Sequence, residues 1–230
     1  ANSIYAKPLT EINHKFFQNK KALELDEKMA ISSKMIEIEL QQIILSGKND
    51  QFDDVIKNIS QELILSEGIL NNPKFAFQFL NISRNIAKAQ KAYYQFEPFI
   101  NQTYKTLKEN DSFIPKFKFY EASILYMLCH AQYRTRKFDL LKYSLKEFEF
   151  VINELPSTKH KQFYTKFIFL KASYLSYTNQ LNEAIKILET FDKAQSDLEQ
   201  ISQDLNLGLY YFMNQEYTKA LNTNRKFKHS

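Results

Sequence analysis

Pro73-Lys74-Phe75-Ala76-Phe77 returns 42 residues later as Pro115-Lys116-Phe117-Lys118-Phe119. The same offset carries Ile82 to Ile124, Ala89-Gln90 to Ala131-Gln132 and Phe96 to Phe138, so one register holds from Pro73 to Phe96. Self-similarity at such a period marks stacked supersecondary units, each too small to bury its apolar face alone. Each unit reads as two helices. Proline opens the first, where its missing N–H costs nothing and its fixed φ helps. Phe75, Phe79, Ile82, Ile86, Ala89 and Tyr93 follow at helical spacing in one unit, and Phe117, Ile124, Leu128 and Ala131 in the next.

Composition agrees with a helical chain. Of 230 residues only 3 are Gly and 5 Pro, too few for the turns of an all-β fold or the phosphate loops of many α/β folds. Leu, Ile, Lys, Glu, Gln and Ala dominate, and most are good helix formers. Hydrophobic residues reach 44%, enough for a real core. The single cysteine excludes an internal disulfide and a multi-cysteine metal site, and fits a reducing, cytoplasmic setting. No apolar run is long enough to span a membrane, and the first residues lack the apolar stretch of a signal peptide.

A short polar turn ending in an aromatic or leucine separates the helices of each unit. The turns read as Gln51-Phe52-Asp53, Gln95-Phe96-Glu97, Lys137-Phe138-Asp139, Gln180-Leu181-Asn182 and Glu216-Tyr217-Thr218. Nine residues before each turn residue stand Ile43, Ala87, Cys129, Ala172 and Gly208, and all but Ile43 are small. Two helices crossing closely at that place would need small side chains. Leu207-Gly208, Tyr211, Tyr217 and Ala220 occupy the five characteristic places of a tetratricopeptide repeat, and the chain resembles that family.

The resemblance implies an all-α, right-handed superhelical stack of helix-turn-helix repeats. Residues 1–20 are expected to form an arm or short helix, and residues 21–230 a domain of about five hairpins. Turn residues are spaced 44, 42, 43 and 36 apart, against thirty-four in the family, so the helices should be about one turn longer than the family norm. The second small place of the motif is kept at Ala184 and Ala220 but not at Val55, Phe99 or Leu141. Leu25, Met29, Ile36, Leu40 and Ile43 keep one helical face, ended by Gly47-Lys48-Asn49-Asp50.

Nothing in the sequence points to catalysis. Cys129-His130 is the one adjacent pair of reactive groups, but neighbours on a helix point about 100° apart, and Cys129 falls on the small packing place. His14, His160 and His229 show no metal-ligand spacing, and Gly47, Gly68 and Gly208 are isolated. Carboxylate pairs such as Glu37/Glu39, Asp53/Asp54 and Glu147/Glu149 belong on solvated helices. No enzyme, cofactor or metal is expected.

In the family the first helix of each repeat lines a concave groove. Carried onto this chain, the lining places are Arg84, Lys88 and Lys91, then Tyr126, His130, Tyr133 and Arg134, then Phe169 and Tyr177. That surface is cationic at one end and aromatic further along, and would suit an extended peptide with acidic and apolar side chains. It lacks the Lys–Asn set by which some members clamp a terminal carboxylate. A protein-interaction scaffold or adaptor is the expected function, with a regulatory peptide-sensing module of a longer protein as the alternative.

Nucleic acid is a less expected partner. Of 31 basic residues only Arg84, Arg134, Arg136 and Arg225 are arginine, the better reader of phosphate and guanine. Residues 1–70 hold 8 lysines against 11 acidic residues, a balance of −3, so the remainder carries +8 and the net charge is +5. The tail Arg225-Lys226-Phe227-Lys228-His229 reads as cations gathered at a helix C-terminus. Terminal repeats usually diverge, yet the last is the most typical here and leaves Leu221 and Phe227 uncovered. Either the native protein continues or a second chain supplies cover at that end.

Overall fold

A computed structural model describes residues 72–191 and 196–225. The expectations for residues 1–20, for the helix from Leu25 to Ile43, for a turn at Phe52 and for Phe227 fall outside them. Among the described residues all regular structure is helical. The helices are α1 (Pro73–Gln90), α2 (Tyr93–Glu109), α3 (Lys118–Arg134), α4 (Phe138–Asn153), α5 (Ser157–Tyr177), α6 (Leu181–Thr190), α7 (Asp197–Met213) and α8 (Tyr217–Arg225), with a 3-10 turn at Pro115–Phe117. Among the described residues, 72–96 and 105–112 belong to one compact unit, and 97–104 and those from 113 onward to a second. No described helix is long and apolar enough to cross a membrane.

Local chemistry sets the helix ends. Asn72 caps α1 by accepting from the Lys74 amide at 3.0 Å, with Pro73 at the first helical position. Ser196 does the same for α7, accepting from the Glu199 amide at 3.3 Å. The turns α1–α2, α3–α4, α5–α6 and α7–α8 share one design. Each holds a residue in the left-handed region: Lys91 (φ 57°), Arg136 (φ 61°), Asn179 (φ 58°) and Gln215 (φ 63°). The next amide then reaches back five residues. Ala92 donates to the Ala87 carbonyl at 2.8 Å, Lys137 to Gln132 at 2.9 Å, Gln180 to Leu175 at 2.9 Å and Glu216 to Tyr211 at 2.8 Å. This closure satisfies a helix-end carbonyl and turns the chain back without glycine.

The shared design corrects the first turn. Gln95-Phe96-Glu97 lies inside α2, and the chain turns at Lys91-Ala92, so Tyr93 is the counterpart of Phe138, Leu181 and Tyr217. The cause is the 3-10 turn. Pro73 begins an α-helix directly, whereas Pro115-Lys116-Phe117 uses three residues before α3 begins at Lys118. Structural equivalence between these hairpins therefore runs at 45 residues rather than 42. Arg84, not Ala87, then stands nine residues before the turn residue. Three residues after it, Phe96, Leu141, Ala184 and Ala220 are all buried.

In the second unit the hairpins pack in sequence. Helix α3 packs on α4, α5 on α6 and α7 on α8, while α4 also touches α5 and α6 also touches α7. First helices meet as well, α3 with α5 and α5 with α7. The core lies between them. Phe148 of α4 is fully buried, its ring 6.1 Å from Phe163, 6.0 Å from Phe167 and 6.3 Å from Tyr126.

The small residues Ala87, Cys129, Ala172 and Gly208 are all buried, but they do not limit packing equally. A Cβ on Gly208 would meet the Asn224 side-chain oxygen of α8 at 2.6 Å, and Asn224 is exposed and free to swing aside. Gly208→Ala should therefore leave the thermal midpoint unchanged or raise it, since alanine is worth up to about 1 kcal/mol over glycine in a helix. Ala172 is buried, at 1% exposure. Ala172→Leu should cost about 1–3 kcal/mol by overpacking. Thermal unfolding followed by circular dichroism compares the two, and an unchanged midpoint in Ala172→Leu would contradict close packing there.

Candidate functional site: the face of the first helices

The anticipated groove residues fall in both units. Arg84, Lys88 and Lys91 belong to the first. Arg84 is half-buried and donates to the Asn81 side-chain oxygen at 3.1 Å, and Lys88 is exposed in the last turn of α1. Lys91 is not on the helix face: it is the left-handed residue that ends α1, which aims its side chain by turn geometry rather than helical periodicity.

The second unit holds Tyr126, His130, Tyr133 and Arg134 on α3, and Phe169 and Tyr177 on α5. Tyr126 and His130, one turn apart, place their rings 6.4 Å from each other, both half-buried. Tyr133 and Tyr177 meet edge-on at 5.7 Å across the α3–α5 seam, and Phe138 stacks on Tyr177 at 5.5 Å. Phe169 stands apart, packed against Phe191 at 6.1 Å. Arg134 is exposed.

A feature absent from the sequence reading organises this seam. Lys159 of α5 lies over Phe119 of α3 at 4.8 Å, and Lys166 of α5 lies over Tyr126 of α3 at 5.1 Å. Arg136, in the turn after α3, covers Tyr177 of α5 at 4.2 Å. Three cation–ring pairs thus bridge α3 and α5 along their length, each favoured by the ring quadrupole. The phenols respond to this setting. The Arg136 guanidinium, hydrogen bonded to Tyr177, holds that phenol below its usual pKa, helped by a bond accepted from Tyr133. Burial first, then the Tyr177 phenol, pushes Tyr133 upward. Where α3 and α5 begin, an open groove of about 410 Å³ is lined by Lys116, Lys118, Phe119, Glu154 and Lys159. Lys118 is held there by Glu121 at 3.0 Å and Glu154 at 2.9 Å.

The reactive pair does not assemble. Cys129 is fully buried, and burial pushes its thiol well above the usual range, so the thiolate needed for attack is disfavoured. His130 sets its ring at a tilt to that of Tyr126 instead. The carboxylates of Glu147 and Glu149 also part company. Glu149 pairs with Lys171 at 3.3 Å, while Glu147 acts on buried Tyr104, whose pKa is raised first by burial and then by that carboxylate. Among the described residues no group of three His, Cys, Asp or Glu side chains is placed to hold a metal ion.

Comparison with protein-family models, with curated proteins and with solved structures gives no match.

Proposed function

We propose that the chain is a non-catalytic cytoplasmic scaffold of tetratricopeptide-like hairpins, stacked as a right-handed solenoid, that binds an extended peptide segment of a protein partner along the first helices. The observation that carries this reading is the cation–ring ladder across α3 and α5. It presents Lys159, Lys166 and Arg136 together with half-buried aromatic faces, and exposed Arg134 adds charge beside it. Such a strip offers charge to acidic side chains and apolar area to hydrophobic ones, and aromatic and arginine side chains dominate peptide recognition energetically. The buried Cys129 thiol and the divided Glu147 and Glu149 carboxylates support a binding role over a chemical one.

Fluorescence anisotropy with a library of labelled peptides mixing Glu or Asp with Leu or Phe tests the reading. Reversing charge at Arg134 and Lys166 together should weaken the best binder by at least about tenfold, or roughly 1.4 kcal/mol. Reversing Lys142 and Lys186, both exposed on second helices, should change it less than about twofold. Equal effects would mean that bulk charge alone accounts for binding. A library without any binder would remove the groove altogether.

A further inference from the structure

Helix α7 is apolar on two sides. Leu207, Tyr210 and Tyr211 lie on its buried side. On the opposite side Leu198, Ile201, Leu205, Leu209 and Phe212 form one stripe, each between 40% and 75% exposed. At 1.5 Å per residue the stripe runs about 21 Å. Tyr217 at the start of α8 prolongs it, its ring 5.6 Å from Phe212 and itself 59% exposed. These six residues expose roughly 650 Å², just above the about 300–600 Å² typical of a monomer's largest apolar patch, and not far below the about 800 Å² that each partner gives to a stable pair.

One hairpin earlier, two of the five matching places are buried, two are half-buried and one is exposed. Matching Tyr217 with Leu181, Ile201 corresponds to Thr165 and Phe212 to Ser176, and both Thr165 and Ser176 are buried. The stripe therefore occupies a face that helix packing covers in part in the preceding hairpin. A helix apolar on both sides is ordinarily buried on both.

The spacing of the stripe identifies its occupant. From Leu198 the steps are three, four, four and three residues, a palindrome centred on Leu205. A second copy running antiparallel would set Leu198 against the partner's Phe212, Ile201 against the partner's Leu209, and Leu205 against itself. An isologous two-fold contact requires such self-complementarity. The charge of the first turn selects the same direction. Helix α7 carries Asp197, Glu199 and Asp204 and no Lys or Arg. Parallel pairing would bring the acidic first turns together, whereas antiparallel pairing parts them by about 21 Å, beyond the Debye length of about 8–10 Å.

We infer that α7 is the contact element of a symmetric homodimer, packed antiparallel on α7 of a second copy about Leu205. The contact does not rest on the peptide-groove reading, which concerns α3 and α5. Sedimentation of the 230-residue chain should show a concentration-dependent species of twice the chain mass. Leu205→Glu should abolish that species with unchanged helix content, because Leu205 is exposed and supports no core. Mild oxidation should link Leu205→Cys chains into covalent dimers and leave Leu198→Cys chains unlinked, while the native Cys129 thiol is buried and does not compete. A wild-type chain monomeric up to millimolar concentration, or a dimer that survives Leu205→Glu, would overturn the proposal. Self-linking of Leu198→Cys as efficient as that of Leu205→Cys would overturn the antiparallel register. Peptide binding by monomeric Leu205→Glu separates failure of the dimer from failure of the groove.

Discussion

Phe148→Ala is expected to destabilise the second unit by about 3–5 kcal/mol, the usual cost of removing a fully buried aromatic ring. Phe148 has no solvent exposure, and its ring joins α3 and α5 by touching Tyr126, Phe163 and Phe167. Its removal leaves a cavity between three helices that are each fixed by other neighbours, so the gap should close poorly. Denaturant unfolding followed by far-ultraviolet circular dichroism measures the loss. Phe150→Ala on the same helix is the control, since Phe150 is 64% exposed and should cost well under about 1 kcal/mol. A loss for Phe148→Ala no larger than for Phe150→Ala would show that the ring does not hold α3, α4 and α5 together.

Lys137→Met should cost about 2–4 kcal/mol, more than surface ion pairs usually contribute. Its carboxylate partner, Glu97, is 1% exposed, with one side-chain oxygen on Lys137 and the other without a hydrogen-bond donor. Removing the ammonium strands a buried charge, which is worse than never having had the pair. Glu97→Gln in the same chain removes that charge and should recover most of the loss. The double variant decides the mechanism. If it is as unstable as Lys137→Met alone, the lysine acts through packing of its methylenes instead.

Much of the helical order could be read from the residues. A polar pair followed by Phe138, Leu181 or Tyr217 marks three turns where the structure places them, because the left-handed residue and the helix start lie within that short signal. The first turn escaped because Pro73-Lys74-Phe75 and Pro115-Lys116-Phe117 read alike while one is α-helix and the other a 3-10 turn. The difference lies in what precedes them: Asn72 caps the helix through its side chain in one case, and Ile114 has no capping side chain in the other. Glu97 was displaced by the same error, read as a turn residue and found buried against Lys137.

Site residues divide along similar lines. Helical periodicity is enough to put Tyr126, His130 and Tyr133 on one face of α3. It does not give the stagger of α5 against α3, which alone decides that Lys166 covers Tyr126 and Lys159 covers Phe119. Arg136 was hidden for another reason: a left-handed turn residue points where no helical or strand period would send it.

The succession of contacts in the second unit bears on how the chain comes to be folded. Its substantial helix–helix contacts join an element to the next or the next but one. Partners therefore lie within roughly 45 residues of each other, a low contact order for a domain of this size. During synthesis at about 5–20 residues per second, the partner of each new helix has already emerged seconds before. Assembly can follow the direction of translation, with α3 and α4 presenting the surface on which α5 condenses, and α5 and α6 the surface for α7. The order of synthesis then matches the order in which the surfaces of this unit are needed.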